Sequence, residues 1–269
     1  MYLYIYKNEK RLTTEKVRDV LRDYNEKEQL GFSQQEIMNL EIARGKYGKP
    51  YFRQLAVPQN RQDSISGILP DAIWKTSSTD IPKNGGTGSE NAPEAIRFSG
   101  TGKENAPEAI RLSGTGSENA SEAIRFSISH SGNWWACLIG FHEMGLDIED
   151  LEKGRMRMAD SKVNQKRGEA IAKRFFTKEE YEYVLAQGTP AFYKIWTRKE
   201  AYTKYLGTGI GQGLDTFHVF GQNQFVDQIG RVLVRELDLK GRGLPKAIED
   251  IKGAYCTEGD EIIEHIIVE

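Results

Sequence analysis

The spacing of apolar positions along the chain divides it into short strands and amphipathic helices. Residues 1–6 read as a strand, and 13–24 carry Val17, Val20 and Leu21 at helical spacing behind a Thr-Thr pair able to cap the first turn. A short helix is expected over 33–38 and a strand over 39–44, leading into Gly45-Lys46-Tyr47-Gly48-Lys49-Pro50-Tyr51-Phe52. Residues 133–141 (NWWACLIGF) predict a buried strand, and 145–149 (GLDIE) a second, short one. One or two helices fit 159–187, with Ile171, Phe175, Phe176, Tyr181 and Val184 as the apolar set. The span 190–205 predicts a strong helix, with Pro190 near its first turn and Gly207 just past its end. From Phe217 onward, FHVF, RVLVREL, GAYCTEG and EIIEHIIVE alternate as β-structure. The order β-α-β-β, then β-α-α-β-β, predicts an α+β fold in two halves, 1–143 and 144–269.

The middle of the chain follows a different rule. GTGSENAPEAIRFS, GTGKENAPEAIRLS and GTGSENASEAIRFS begin at residues 86, 100 and 114, so 86–127 is a threefold repeat of period 14. Solenoid units run to about 20–50 residues, each with a sizeable apolar face. Each copy here offers two alanines, one isoleucine and one Phe or Leu. That is too little to offset the entropy of ordering the segment, so a mobile insertion is expected. The third copy runs directly into Ile128-Ser129-His130-Ser131, so its Arg125-Phe126-Ser127 is expected to open a strand.

Composition narrows the classes. With 269 residues either one large domain or two modules can bury a core. Lys+Arg 37 against Asp+Glu 39 gives a net charge of -2, which argues against a generic nucleic-acid binder. Two cysteines, Cys137 and Cys256, cannot make a disulfide scaffold or a four-thiolate zinc site, and they suit a reducing cytoplasm. No apolar run approaches the length of a transmembrane helix. The N-terminus has its apolar residues first and its charges afterwards, the reverse of an export signal, so a cytoplasmic protein with no membrane association is expected.

Three clusters hold candidate chemistry. Asp147 and Glu149 are two apart on a strand, so they share a face, separated by about 6–7 Å of rise. They are either a solvated strand end or a pair awaiting a cation. Trp196, Glu200 and Lys204 recur every four residues and stack on one helix face. Glu200 and Lys204 also make a favourable surface ion pair, so that reading stays open. If Asp147, Glu149 and Glu200 converge, three carboxylates without thiols favour Mg²⁺ and a phosphate-bearing substrate. His130, between Ser129 and Ser131, is a turn residue or stands with Ser129 beside a phosphate. No G-x-S-x-G elbow supports a serine hydrolase. Gly207-Thr208-Gly209-Ile210-Gly211-Gln212-Gly213 follows a helix instead of opening one, so it reads as a helix stop and not as a dinucleotide loop.

Taken in order, GKPYF at 48–52, FSISHSG at 126–132, GLDIE at 145–149, RFF at 174–176 and WTRKEAYTK at 196–204 resemble the 4'-phosphopantetheinyl transferase superfamily. The resemblance is to the two-lobed type that modifies carrier proteins of polyketide, nonribosomal-peptide and fatty-acid synthesis. It implies a pseudo-twofold pair of α+β lobes holding coenzyme A between them. The implied reaction moves the phosphopantetheine arm of CoA onto a serine of an apo acyl- or peptidyl-carrier protein and releases 3',5'-ADP. By the same resemblance, Asp147, Glu149 and Glu200 would hold Mg²⁺, and Glu200 would take the serine proton. Lys204 would contact the pyrophosphate and assist the leaving ADP. Lys49 and Pro50 would line the adenine side, Ser129 and His130 the phosphate side. Phe175, Phe176 and Trp196 are expected to pack between strand and helix instead of touching substrate.

The chain departs from the family pattern in two ways. The basic segment usual between the first strand and helix is cut to Lys7, Lys10 and Arg11, leaving Arg18, Arg22, Arg44 or Lys46 as stand-ins at the CoA 3'-phosphate. The connection from Phe52 to Phe126 is also longer than is usual there. An alternative reading is therefore a catalytically idle module that binds CoA or a carrier protein. Two lobes in one chain imply a monomer.

Overall fold

The computed structural model describes residues 1–7, 13–53, 123–151, 161–209, 213–249, 251–258 and 262–268. All belong to one unit, Met1–Gln62 with Ser121–Glu269. Nearly all of the repeat, with Lys10 and Arg11, lies outside them; only its last residues, from Ala123, are described.

The fold is α+β. Strand β1 (Tyr2–Lys7) is followed by helix α1 (Thr13–Lys27), the short helix α2 (Gln34–Asn39), and the hairpin β2 (Ile42–Arg44) and β3 (Pro50–Phe52). Next come β4 (Arg125–Ser131), β5 (Trp134–Gly140) and β6 (Met144–Asp150). Helices α3 (Ser161–Phe175), α4 (Lys178–Gln187) and α5 (Thr189–Leu206) complete the helical part. Short strands β7 (Phe220–Gly221), β8 (Gln224–Phe225) and β9 (Gln228–Ile229) precede β10 (Val232–Glu236), β11 (Ile251–Glu258) and β12 (His265–Val268).

Two four-stranded sheets carry the structure, one ordered β12-β1-β5-β4 and the other β6-β11-β10-β9. The pleat sorts their side chains. Leu3, Ile5, Trp134, Ala136 and Leu138 of the first sheet meet Met144, Leu146, Ile148 and Ile251 of the second in one shared core. Tyr2 and Tyr4 point the other way, under α1: Tyr2 packs edge-on to Tyr24, and Tyr4 donates to Asp23 at 2.6 Å. On the outer face of the second sheet, Val232, Val234, Ala254 and Cys256 pack against Ala201 of α5. The layers are therefore helix, sheet, sheet, helix. Strand β12 returns to the first sheet and pairs in parallel with β1, Tyr2 opposite His265.

Local signals set the helix ends. Ser33 with Glu36, and Thr177 with Glu180, form capping boxes that open α2 and α4. Pro190 sits in the first turn of α5, and Gly207 ends it in the left-handed conformation at φ 67°. The expected strand over 39–44 shrinks to Ile42–Arg44, because α2 runs on to Asn39. Of FHVF, only Phe220 is in a strand: the preceding stretch is a helical turn and loop whose Val219 N–H goes to a buried glutamate. Phe175 and Phe176 pack in a cluster with Phe192, Ile195, Val219 and Phe220, and Trp196 joins that cluster while its side chain also reaches Glu149 of β6.

Candidate active site

Strand β6 is buried along its length except for Glu149, which is half-buried. Its alternation puts Met144, Leu146 and Ile148 into the shared core. Gly145, Asp147 and Glu149 therefore face α5. Gly145 is what brings the helix close: a Cβ there would overlap the carbonyl oxygen of Ala201 and the amide nitrogen of Tyr205. Helix backbone thus rests directly on strand backbone. With that contact made, the face of α5 bearing Trp196, Glu200 and Lys204 descends onto the two carboxylates. The Lys204 ammonium donates to Asp147 Oδ1 at 2.8 Å, and the Trp196 side chain hydrogen-bonds Glu149.

The opposite wall is β4. Ser127, Ser129 and Ser131 share one face of that strand, and each hydroxyl accepts a backbone N–H from β6: Leu146 at 2.9 Å, Ile148 at 3.1 Å and Asp150 at 3.0 Å. The two sheet edges are thus joined by hydroxyls standing in for backbone carbonyls. Ser129 also donates to Asp147 Oδ1 at 2.9 Å and accepts from Lys204 at 3.0 Å. Ser131 donates to Glu149 Oε2 at 2.7 Å.

Charge at the site is not balanced. Asp147 is 6% and Glu200 7% exposed, yet Asp147 Oδ2 and Glu200 Oε1 are buried with no hydrogen-bond partner. Burial pushes the Glu200 carboxyl up to about 7; the charges of Asp147 and Glu149 add to that, and Lys204 opposes it. Burial likewise raises Glu149, with Asp147 adding to it. Asp147 is raised by burial against the pull of Lys204 and Ser129. One ammonium therefore serves three coupled carboxylates. Orphaned acceptor-only oxygens on hard carboxylate donors suit a hard cation with phosphate or water as further ligands. Among the described residues no three His, Cys, Asp or Glu side chains form a ready-made metal cage, so such an ion would draw on ligands beyond the protein.

The structure brings Asp147, Glu149, Glu200, Lys204 and Ser129 together and separates His130 from them. Successive strand residues point to opposite faces, so His130 lies on the α1 side of β4, exposed and opposite Trp135. Ser129 and His130, both expected on the phosphate side, thus point to opposite faces of β4. Ser129 is also 6% exposed, with its hydroxyl engaged by three protein groups.

Lys49 and Pro50 lie in the β2–β3 hairpin, which closes on the end of α5. The Lys49 ammonium binds Tyr205 O at 2.8 Å and Glu143 Oε2 at 2.9 Å, and its stem lies against Gly207. Of the cationic stand-ins, Arg18 donates to Leu40 O, Arg22 pairs with Asp19, Arg44 donates to Gly48 O, and Lys46 lies over Tyr47.

Sequence reasoning passed over Ser131, Gly145 and the hydrogen-bonding role of Trp196. The S-x-S-x-S spacing opposite G-x-D-x-E was the available signal. It becomes readable only once the two strands are known to be neighbours.

The sequence profile of the 4'-phosphopantetheinyl transferase superfamily matches residues 143–242. That stretch holds Asp147, Glu149, Glu200 and Lys204 but not Lys49, Pro50, Ser129 or His130. The chain is 37% identical over 96 residues to 4'-phosphopantetheinyl transferase Sfp of Bacillus subtilis (strain 168), across 34% of this chain and 37% of that protein. It is 32% identical over 97 residues to the holo-[acyl-carrier-protein] synthase of Shewanella amazonensis, across 35% of this chain and 70% of that protein. The match thus spans little more than a third of the Bacillus relative but most of the Shewanella one. With the carboxylate strand and the Glu–Lys helix both inside the matched region, the chain belongs to the 4'-phosphopantetheinyl transferase superfamily.

Proposed function

We propose that the protein transfers the 4'-phosphopantetheine group of coenzyme A to a serine of an acyl- or peptidyl-carrier protein, releasing 3',5'-ADP. The observation that carries this reading is the group of buried Asp147 and Glu200 with half-buried Glu149 around a single ammonium, with two carboxylate oxygens left unpartnered. Relatives bearing transferase and synthase names support it.

In the proposed reaction Asp147, Glu149 and Glu200 would hold Mg²⁺, which when bound neutralises charge developing on the CoA pyrophosphate. The serine oxygen attacks a CoA phosphorus, and the bond from that phosphorus to the 3',5'-ADP oxygen breaks. Glu200 takes the serine proton at Oε1. A carboxylate is suited to that transfer because the serine proton need leave only in the transition state. Lys204, 30% exposed beside Asp147, is placed to exchange that carboxylate for the leaving phosphate oxygen. Ser129 holds Asp147 and Lys204 in register. Lys49, Pro50 and His130 stand as CoA contacts on the family resemblance. Each sheet carries its own covering helix, which supports two lobes divided near residue 143, with CoA between them in a monomer, except that β12 (His265–Val268) crosses back to close the first sheet. Among the described residues no helix is long and apolar enough to cross a membrane.

The test is the intact mass of an apo carrier protein incubated with this protein, CoA and Mg²⁺. A gain of one phosphopantetheine group, abolished by EDTA, is expected. CoA binding without any mass gain, across acyl- and peptidyl-carrier proteins, would replace this reading with the idle module.

A further inference from the structure

The serine face of β4 repeats one geometry along β6. Ser129 spends its proton on the carboxylate of Asp147 and accepts the N–H of the next residue, Ile148. Two residues on, Ser131 spends its proton on Glu149 and accepts the N–H of Asp150. Two residues back, Ser127 accepts from Leu146, and the position preceding that residue is Gly145, which has no side chain to hold. The ladder is the same at each rung; what differs is whether a carboxylate is present.

Glu149 needs such support more than Asp147. Its side chain has one more rotatable bond, so fixing an unheld glutamate gives up more rotamer freedom than fixing an aspartate. Two directional donors converge on it, the Ser131 hydroxyl from β4 and the Trp196 side chain from α5. Trp196 is itself fixed by stacking on Phe192, ring centroids 5.8 Å apart. Ser131 is fixed as well. It ends β4, and the turn that follows is wrapped on Asp150: the Asn133 N–H donates to Asp150 Oδ2 at 3.1 Å, and a Cβ on Gly132 would collide with that carboxylate. The Ser-Gly pair at 131–132 thus anchors one donor at the site while its glycine lets the turn close.

We propose that Ser131, paired across the site with Trp196, is a positioning residue that aims the Glu149 carboxylate, as Ser129 aims that of Asp147. The inference rests on the reading above in taking Glu149 as a metal-holding group. Groups that orient metal ligands change affinity by about 10–100-fold when removed.

The experiment titrates Mn²⁺ into the full-length protein without CoA, following free Mn²⁺ by electron paramagnetic resonance, for parent, Ser131→Ala, Ser131→Thr, Trp196→Phe and Glu149→Gln. Ser131→Ala and Trp196→Phe are expected to weaken Mn²⁺ binding about tenfold, with Ser131→Thr restoring it by keeping the hydroxyl. In transfer assays the same two variants should need more Mg²⁺ for half-maximal rate and recover kcat when it saturates. Trp196→Phe keeps the test alive should Ser131→Ala fail to fold: it removes the N–H together with part of the indole, and keeps an aromatic ring to stack on Phe192. Parent-like Mn²⁺ binding in Ser131→Ala or Trp196→Phe overturns the proposal, as does a parent or Glu149→Gln protein whose Mn²⁺ behaviour leaves Glu149 no role. Failure of the parent to modify any carrier protein strikes the proposed reaction instead and leaves the Mn²⁺ comparison standing.

Discussion

Lys199 and Glu200 are neighbours on α5, and they end in opposite polar surroundings. Lys199 and its partner Glu180 are fully buried at 2.8 Å. The ammonium also donates to Leu214 O at 2.7 Å and Phe217 O at 2.6 Å. Glu180 receives the Val219 N–H at 2.7 Å and the Thr177 N–H at 2.9 Å. Every group there has a partner within the chain. Glu200, a rotation of about 100° away, faces two further carboxylates and keeps an oxygen with none. A burial cost met in full by the protein marks a strut, here tying α4 and the 214–219 loop to α5. A burial cost left partly unmet marks a place where something else binds.

Four changes would break or sharpen that contrast. Asp147→Ala removes the carboxylate that Lys204 and Ser129 both grip. Transfer to a carrier protein should fall on the order of a thousandfold, with the circular dichroism spectrum kept; activity within a few-fold of parent would remove Asp147 from the site. Lys199→Met strands the Glu180 charge and two carbonyls in the interior. Thermal and urea denaturation should show a loss of about 3 kcal/mol, while the surviving folded fraction still transfers. A stable variant would mean the buried pair is no strut.

Glu200→Gln tests the unmet side by pH. In the metal-free protein the folded-state carboxyl sits at about 7, above its ordinary 4.5, so the fold binds this proton more tightly than the unfolded chain does. Its favourable contribution is complete below 4.5 and disappears as pH rises through 7. In EDTA the parent should therefore lose roughly 3 kcal/mol from this group across that window. Glu200→Gln should flatten that part of the profile and be the more stable protein at pH 8, although inactive. An unchanged profile would mean that Glu200 is not carrying buried charge. The smallest effect belongs to Ser127→Ala. It deletes one rung of the serine ladder where no carboxylate is held, so denaturation should register about 1 kcal/mol and transfer rates should stay at the parent's level. A large loss of activity would show that the seam itself, and not the aiming of carboxylates, is what the serines supply.

Much of the site was legible from the chain alone, for a definite reason. A helix repeats every four residues and a strand every two, so Trp196, Glu200 and Lys204 had to share a face, as did Asp147 and Glu149. The stop at Gly207 and the caps at Ser33 and Thr177 are likewise set by interactions within a few residues. The same periodicity, applied to β4, sends Ser129 and His130 to opposite faces of the strand.

Partnership between distant segments was not legible, because nothing local selects it. The sequence determined that β4 carries serines at every second position and β6 carboxylates at every second position. That the two strands lie edge to edge, with each hydroxyl one register step from each carboxylate, was decided by the packing of Leu138, Met144, Leu146 and Ile148 into one core. That core also determines which side of α5 meets β6, through the missing side chain of Gly145. Nothing local in the sequence marks Lys199 as buried; only the fold, which brings Glu180 and the 214–219 loop to it, supplies its acceptors. The return of β12 to β1 is the same kind of decision, since backbone pairing across nearly the whole chain is favourable only after the sheet between them exists. Helical and strand periods are properties of neighbouring residues; the register between strands, and hence the site, is a property of the buried volume they share.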